Sequence, residues 1–253
     1  PVVAVALSST CLGLRTPLLA ALEVLKERHA RAVALCRKVG TGNCPCSFAK
    51  LRVAPRLDWM SKGLTADHMA TLGMILRTNG LPQLQTLGLF NNSFGDAGVQ
   101  SLCDGLGGGS APLLRILNLG GNQFGPVGAE ALAAALRKGA MPKLEEVNVI
   151  YNPISNQGVA ALAPVLRKMP ALKTLNLVCC GMGDEGVASL VANLGKDDFK
   201  KLERLYLEGN KITDAGCARL VSALDAVGMP KLEHISLAGS YGARANPASI
   251  EAC

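Results

Sequence analysis

Aromatic side chains are scarce in this sequence: Phe, Trp and Tyr together make up 4% of 253 residues, with a single tryptophan. A core without rings must be filled by Leu, Ala and Val of similar size, which suits stacked, near-identical layers better than an irregular globule. Histidine is scarcer still, with only His29, His68 and His234. No acid, nucleophile and base are brought together around any of them by the sequence pattern, so an enzyme is not expected. No run of 18 or more apolar residues occurs, which argues against insertion into a membrane. The opening "PVVAVAL" reads as a first strand rather than the remnant of a secretory h-region.

The net charge of +7 is unevenly placed, because residues 1–50 hold seven Lys or Arg against Glu23 and Glu27, leaving +2 for the rest. Pairs such as Arg137-Lys138, Arg167-Lys168 and Lys200-Lys201 fall at predicted helix ends or just before strands. There they complement helix dipoles and stay solvated, so the charge does not point to nucleic acid. Most of the nine cysteines sit where a small apolar group is wanted, so reduced thiols and a reducing, cytoplasmic setting are expected. Cys44 and Cys46, in "CPC" with Cys36 and His29 upstream, lack the spacing of paired zinc knuckles. A loop insertion is the preferred reading, with no metal, cofactor or small-molecule substrate.

What the sequence has is a repeat. The unit L-x-x-L-x-L-x-x-N-x-I-x-x-x-G-x-x-x-L-x-x-x-L begins at Leu84, Leu114, Leu144, Leu172, Leu202 and Leu232, at intervals of 30, 30, 28, 30 and 30 residues. A weaker copy begins at Ala54. Two faint copies precede it: Val5, Leu7, Thr10 and Leu12 lead into "TPLLAALEVLKER", and Ala30, Val33, Leu35 and Lys38 follow 28 residues later. The expected organisation is one continuous solenoid. Residues 1–53 form degenerate repeats with a Cys/Gly loop insertion, and residues 54–253 form about seven regular repeats, the last irregular. With Pro1 at the start, a strand-like opening and an apparent helix start near Asn246 and Pro247, the chain reads as a fragment of a longer one.

The first half of each unit alternates apolar residues at the period of a strand with one buried face. The second half spaces them by three and four, as in Val187, Leu190 and Leu194, the stripe of a helix. Like-directed strands must be parallel and joined by right-handed helical crossovers. Strands pack about 4.8 Å apart and helices about 10 Å, so the stack bends toward its sheet. The fold class is therefore α/β: a horseshoe solenoid with a parallel β-sheet on the concave face and helices on the convex face. Asn92, Asn122, Asn152 and Asn210, with Cys180 in the same place, are read as a structural ladder whose amides satisfy buried turn backbone. Gly98, Gly128, Gly158, Gly186 and Gly216 are read as places where a helix start lies against adjacent backbone.

The motifs "LNLGGNQFGPVGAEALAAAL" and "LYLEGNKITDAGCARLVSAL" resemble leucine-rich repeats of the ribonuclease-inhibitor-like class, similar to the arrays of ribonuclease inhibitor, NOD-like receptors and the Ran GTPase-activating protein. The resemblance runs from about Ala54 to Leu237. It implies a macromolecular partner on the concave face and no enzymatic activity. Cys180 fits that class, while Lys62 and Ser240 depart from its pattern. The alternatives it leaves are a regulator of a small GTPase and a structural subunit of a larger assembly.

Alternation assigns the groove-facing side chains. One column holds Asn118, Asn148, Asn176 and Tyr206. A second holds Phe90, Ile150, Val178 and Glu208, with Tyr151 beside it, and a third holds Ile116, Arg204 and His234. Phe90, Ile116, Ile150 and Val178 are expected to be exposed without the leucine pattern requiring it. A rimmed apolar patch of that kind is what protein-binding surfaces present. The expected function is a non-catalytic scaffold with Phe90, Ile150, Tyr151 and Tyr206 as anchors.

Overall fold

The computed structural model describes residues 12–40, 47–107, 109–227, 229 and 231–239. Two helices, α1 (Leu12–Val39) and α2 (Phe48–Val53), lead into seven strands separated by helices. The strands are β1 (Arg56–Asp58), β2 (Thr86–Gly88), β3 (Ile116–Asn118), β4 (Glu146–Asn148), β5 (Thr174–Asn176), β6 (Arg204–Tyr206) and β7 (His234–Ser236). Between them run α3 (Ala66–Asn79), α4 (Gly95–Leu106), α5 (Pro126–Arg137), α6 (Ser155–Arg167), α7 (Asp184–Val191) and α8 (Asp214–Val227). All seven strands are parallel and lie in chain order. Equivalent positions pair, as in Leu87 with Leu117 and Asn118 with Asn148. The α/β leucine-rich repeat solenoid is the observed architecture, and the alternating leucines are its core: Leu84, Leu87, Leu89, Leu114, Leu117 and Leu119 are each 0% exposed.

The N-terminal region departs from expectation. α1 runs without a break through Ala30, Val33, Leu35 and Lys38, where the second faint copy called for a strand. Leu35, Cys36 and Val39 are buried, and α1 packs on α3. Their spacing serves a helix as well as a strand, and the helix wins. His29 lies inside α1. The positions Val5, Leu7 and Thr10, and the loop holding Cys44 and Cys46, lie outside the described residues.

The asparagine ladder does what its spacing required. Asn122 donates from Nδ2 to the carbonyls of Leu89 (3.0 Å), Leu119 (2.8 Å) and Gly120 (2.9 Å), and its Oδ1 accepts the N–H of Asn92 at 3.0 Å. Asn92, Asn152 and Asn210 repeat the pattern, and all four are buried. Cys180 is a weaker rung: its thiol reaches the Val149 carbonyl at 3.4 Å and that of Val178 at 3.6 Å. Burial pushes its pKa up to about 12, against a small lowering by the Asn152 N–H, so it stays a neutral packing group.

A second ladder links consecutive coils through their helix starts. Asp96 Oδ1, on α4, accepts the N–H groups of Gly125 and Gly128 at the start of α5, both at 2.7 Å. Asn156 Oδ1 caps α7 through Gly183 (2.6 Å) and Gly186 (3.1 Å), and Asp184 caps α8 through Thr213. Where the corresponding residue is Ala66 or Pro126, no acceptor exists. The helix that follows then starts differently, with Gly95 (φ +57°) and Ser155 (φ +58°) donating to the carbonyls of Asn122 and Cys180 in the next coil. The capping carboxylates also correct the reading of the repeated glycines. A Cβ at Gly128 would stand 2.8 Å from Asp96 Oδ1, and one at Gly216 2.2 Å from Asp184 Oδ1. At Gly128, Gly186 and Gly216 the glycine makes room for the neighbouring coil's cap; at Gly98 and Gly158, where that coil has no cap to offer, the nearest atoms belong to the side chains of Phe94 and Ile154 in the same coil.

α7 is short, with 8 residues, and the connection after it is closed by a buried acid. Asp198 accepts the Gly195 N–H at 3.0 Å and pairs with Lys168 Nζ at 2.6 Å. Burial raises its pKa, but the Lys168 hydrogen bond and the Gly195 N–H prevail and leave it below the usual value.

Two substitutions check these ladders by urea denaturation. Asp96→Ala is expected to lower stability by about 0.5–2 kcal/mol, the range of a lost N-cap, with faster hydrogen exchange at Gly125 and Gly128. Cys180→Asn is expected to raise it by about 1 kcal/mol, because an amide supplies both the donor and the acceptor of a full rung. Equal or opposite changes would contradict the assignment.

Candidate binding face

Each strand turns away at the residue just before its ladder position, and that residue must adopt a left-handed backbone. Ser61, Asn91, Gly121, Tyr151, Cys179, Gly209 and Gly239 all have φ between +52° and +73°. Glycine meets this requirement without strain. Tyr151 does not: at φ +54° and 56% exposed, it is a bulky side chain held in a region that disfavours it. The strain is not written in the sequence, although a tyrosine where other coils carry glycine or a small side chain was a signal.

The apolar groove residues are half-buried rather than exposed, which corrects the expectation for Phe90, Ile116, Ile150 and Val178. For Phe90 and Ile150 the reason is Gly120. It is buried, and a Cβ added there would lie 2.8 Å from both Phe90 Cδ2 and Ile150 Cγ1. The two side chains converge over a glycine floor and cover part of each other's surface, with Tyr151 standing beside them. The strands place Asn118 and Asn148 in one row with Asn176, and Ile116 and Arg204 in another.

At the C-terminal end of the sheet, the Tyr206 and His234 rings stack with centroids 5.2 Å apart, tilted by 50°. The Ser236 hydroxyl donates to the Glu208 carboxylate. Arg204 and His234 are exposed. At the rim where strands begin, Glu145 takes Arg115 Nη1 at 2.9 Å and Lys173 Nζ at 3.0 Å, and the Lys173 hydrogen bond leads in holding its carboxyl below the usual range. His68 is not on this face. Its Nδ1 accepts the Thr65 N–H at 3.1 Å and caps α3, and burial, helped by Lys38, lowers its pKa. Among the described residues no three His, Cys, Asp or Glu side chains gather as a metal site, and no helix is long and apolar enough to cross a membrane. Missed by sequence reasoning were the inter-coil caps Asp96, Asn156 and Asp184, whose signal was a polar residue recurring just before the helix glycine.

A family model described as Leucine Rich repeat matches the chain five times, at residues 81–103, 110–133, 140–163, 168–191 and 200–221. These matches are in phase with the repeat units above. Among solved structures, the chain is similar to one in a crystal structure of a TLR13–ssRNA13 complex, with 15% identity and a TM-score of 0.22. The similarity covers 75% of this chain and 37% of that one, so this chain spans little more than a third of its length. No curated protein matches the chain.

Replacing Tyr151 by glycine relieves about 1 kcal/mol of backbone strain, partly offset by the greater freedom of glycine in the unfolded chain. The melting temperature of Tyr151→Gly is expected to hold or rise. A clear fall would show that Tyr151 serves the fold.

Proposed function

We propose, on the premise that this chain is a leucine-rich repeat protein, that it works as a non-catalytic scaffold holding a protein partner against the concave sheet. Tyr151 carries this reading: it is large, exposed and strained, and it adjoins the apolar floor made by Phe90, Gly120 and Ile150. Strain of this sort persists where a surrounding framework enforces it, and it collects at ligand-binding positions. Phe90, Ile150, Tyr151 and Tyr206 are the anchors, since central aromatics and large aliphatics carry most of the affinity of such faces. Ile116, Asn118, Asn148 and Val178 complete the centre, while Arg204, Glu208 and His234 form a polar flank toward β7.

Within the leucine-rich repeats we assign the chain to the ribonuclease-inhibitor-like class, because nearly every unit of 28–30 residues holds a full α-helix of 12–14 residues. A reducing, cytoplasmic setting fits Cys103 and Cys180, which are buried thiols outside any disulfide.

The reading is tested by placing a photo-crosslinking residue at Val178 on the concave face or at Val127 on the convex α5, followed by irradiation in native lysate. A covalent adduct is expected from Val178 alone. The isolated partner should then bind the Phe90→Ala, Tyr151→Ala double variant at least about tenfold more weakly, about 1.4 kcal/mol, with little change in thermal stability. Equal labelling from both faces, or unchanged affinity, would defeat it.

A further inference from the structure

The middle of the groove carries a feature that the apolar anchors leave unused. Asn118, Asn148 and Asn176 occupy the same place on β3, β4 and β5, in register. In each, Oδ1 accepts a backbone N–H two residues on: that of Gly120 at 3.1 Å, Ile150 at 3.1 Å and Val178 at 3.2 Å. An N–H donor can only meet the carbonyl side of an amide, so all three side chains are locked with oxygen inward and nitrogen outward. No protein acceptor takes any of the three Nδ2 groups among the described residues. The half-buried centre of the groove therefore presents a row of fixed N–H donors that reach solvent and have no protein acceptor. Their oxygens are already spent.

We propose that this row recognises an amphipathic helix of a protein partner, laid across the strands, that carries oxygen acceptors on one stripe and apolar side chains on the next. The inference rests on the concave-face scaffold reading and specifies its ligand. Pitch selects the helix. Three neighbouring strands span about 9.6 Å at about 4.8 Å per step. Residues i, i+3 or i+4, and i+7 of a helix span about 10.5 Å at 1.5 Å per residue, a match that a modest tilt completes. Alternate residues of an extended segment repeat at about 6.6–6.8 Å and fall out of step within one strand. The apolar row of Phe90, Ile150 and Val178 begins two residues further along each strand, about 6.8 Å away, so one helix about 10 Å across covers both rows. A buried donor left without an acceptor is penalised, so the row also rejects helices that present cations there.

The test uses two designed helical peptides that share a leucine stripe and carry either glutamate or lysine at i, i+3 and i+7 beside it, measured by fluorescence anisotropy at physiological salt. Glu146 stands on β4, two residues before Asn148, and is half-buried, so charge alone would favour lysine. The glutamate peptide is expected to bind at least about tenfold better than the lysine peptide and than a control with its glutamates on the opposite face. Asn148→Asp keeps the bond to the Ile150 N–H and replaces only the outward donor. It is expected to reverse or abolish that preference while leaving thermal stability unchanged. Equal binding of the two peptides, binding of neither, or a preference untouched by Asn148→Asp overturns the inference. If a Val178 adduct still forms in lysate, the scaffold reading survives that result; if it does not, both fall.

Discussion

Every coil of this molecule must turn its chain beneath its neighbour in a dry interior, and that turn leaves backbone donors and acceptors with no water to serve them. In four of the coils a single asparagine meets the need. Asn122 alone engages four backbone groups drawn from two coils, and each such group left unpaired would cost about 1–3 kcal/mol. The same bonds set the spacing of one coil on the next, which holds strands of only three residues in a common register over seven coils. Columns of side chains on the concave face exist because of that register. A slip of one residue would send every groove side chain to the buried face.

The helix starts add a second coupling on the convex side. A carboxylate or amide on one helix caps the next, so a coil's helix is incomplete until its predecessor has folded. Stability of stacked repeats is then a matter of neighbour terms rather than of isolated units. Ala66 and Pro126 interrupt this series, and α4 and α6 lean forward onto the following coil instead. From α4 to α7 the chain thus alternates between coupling forward and coupling backward, and α8 couples backward again. Both arrangements satisfy the free N–H groups that any helix start exposes.

Much of this was legible in the sequence because the signals are local. The alternation around Leu87, Leu117 and Leu205 fixes which residues are buried, and hence which face the groove, within a stretch of five residues. The ladder asparagines were legible by recurrence. What escaped was tertiary. Asp96 and its capped N–H groups are 29 and 32 residues apart, and nothing near Asp96 announces the pairing. Phe90 and Ile150 were taken as exposed because only the fold brings them together over Gly120. The run from Ala30 to Lys38 was ambiguous in itself, since Val33 and Leu35 alternate like a strand while Leu35, Cys36 and Val39 follow a helical stripe.

Three departures of the chain from its own framework meet beside the apolar floor of the groove. Tyr151 and Cys179 take left-handed backbone positions that Gly121, Gly209 and Gly239 fill without strain, and Cys180 replaces an amide rung with a thiol. All three lie in adjacent coils, beside Ile150 and Val178 and one strand from the floor at Gly120. Left-handed turns without glycine also occur at Ser61 and Asn91, and Lys62 stands at a ladder position, so such departures run along the array. Tyr151 differs in being bulky as well as exposed, and the fold alone would be better served there by glycine.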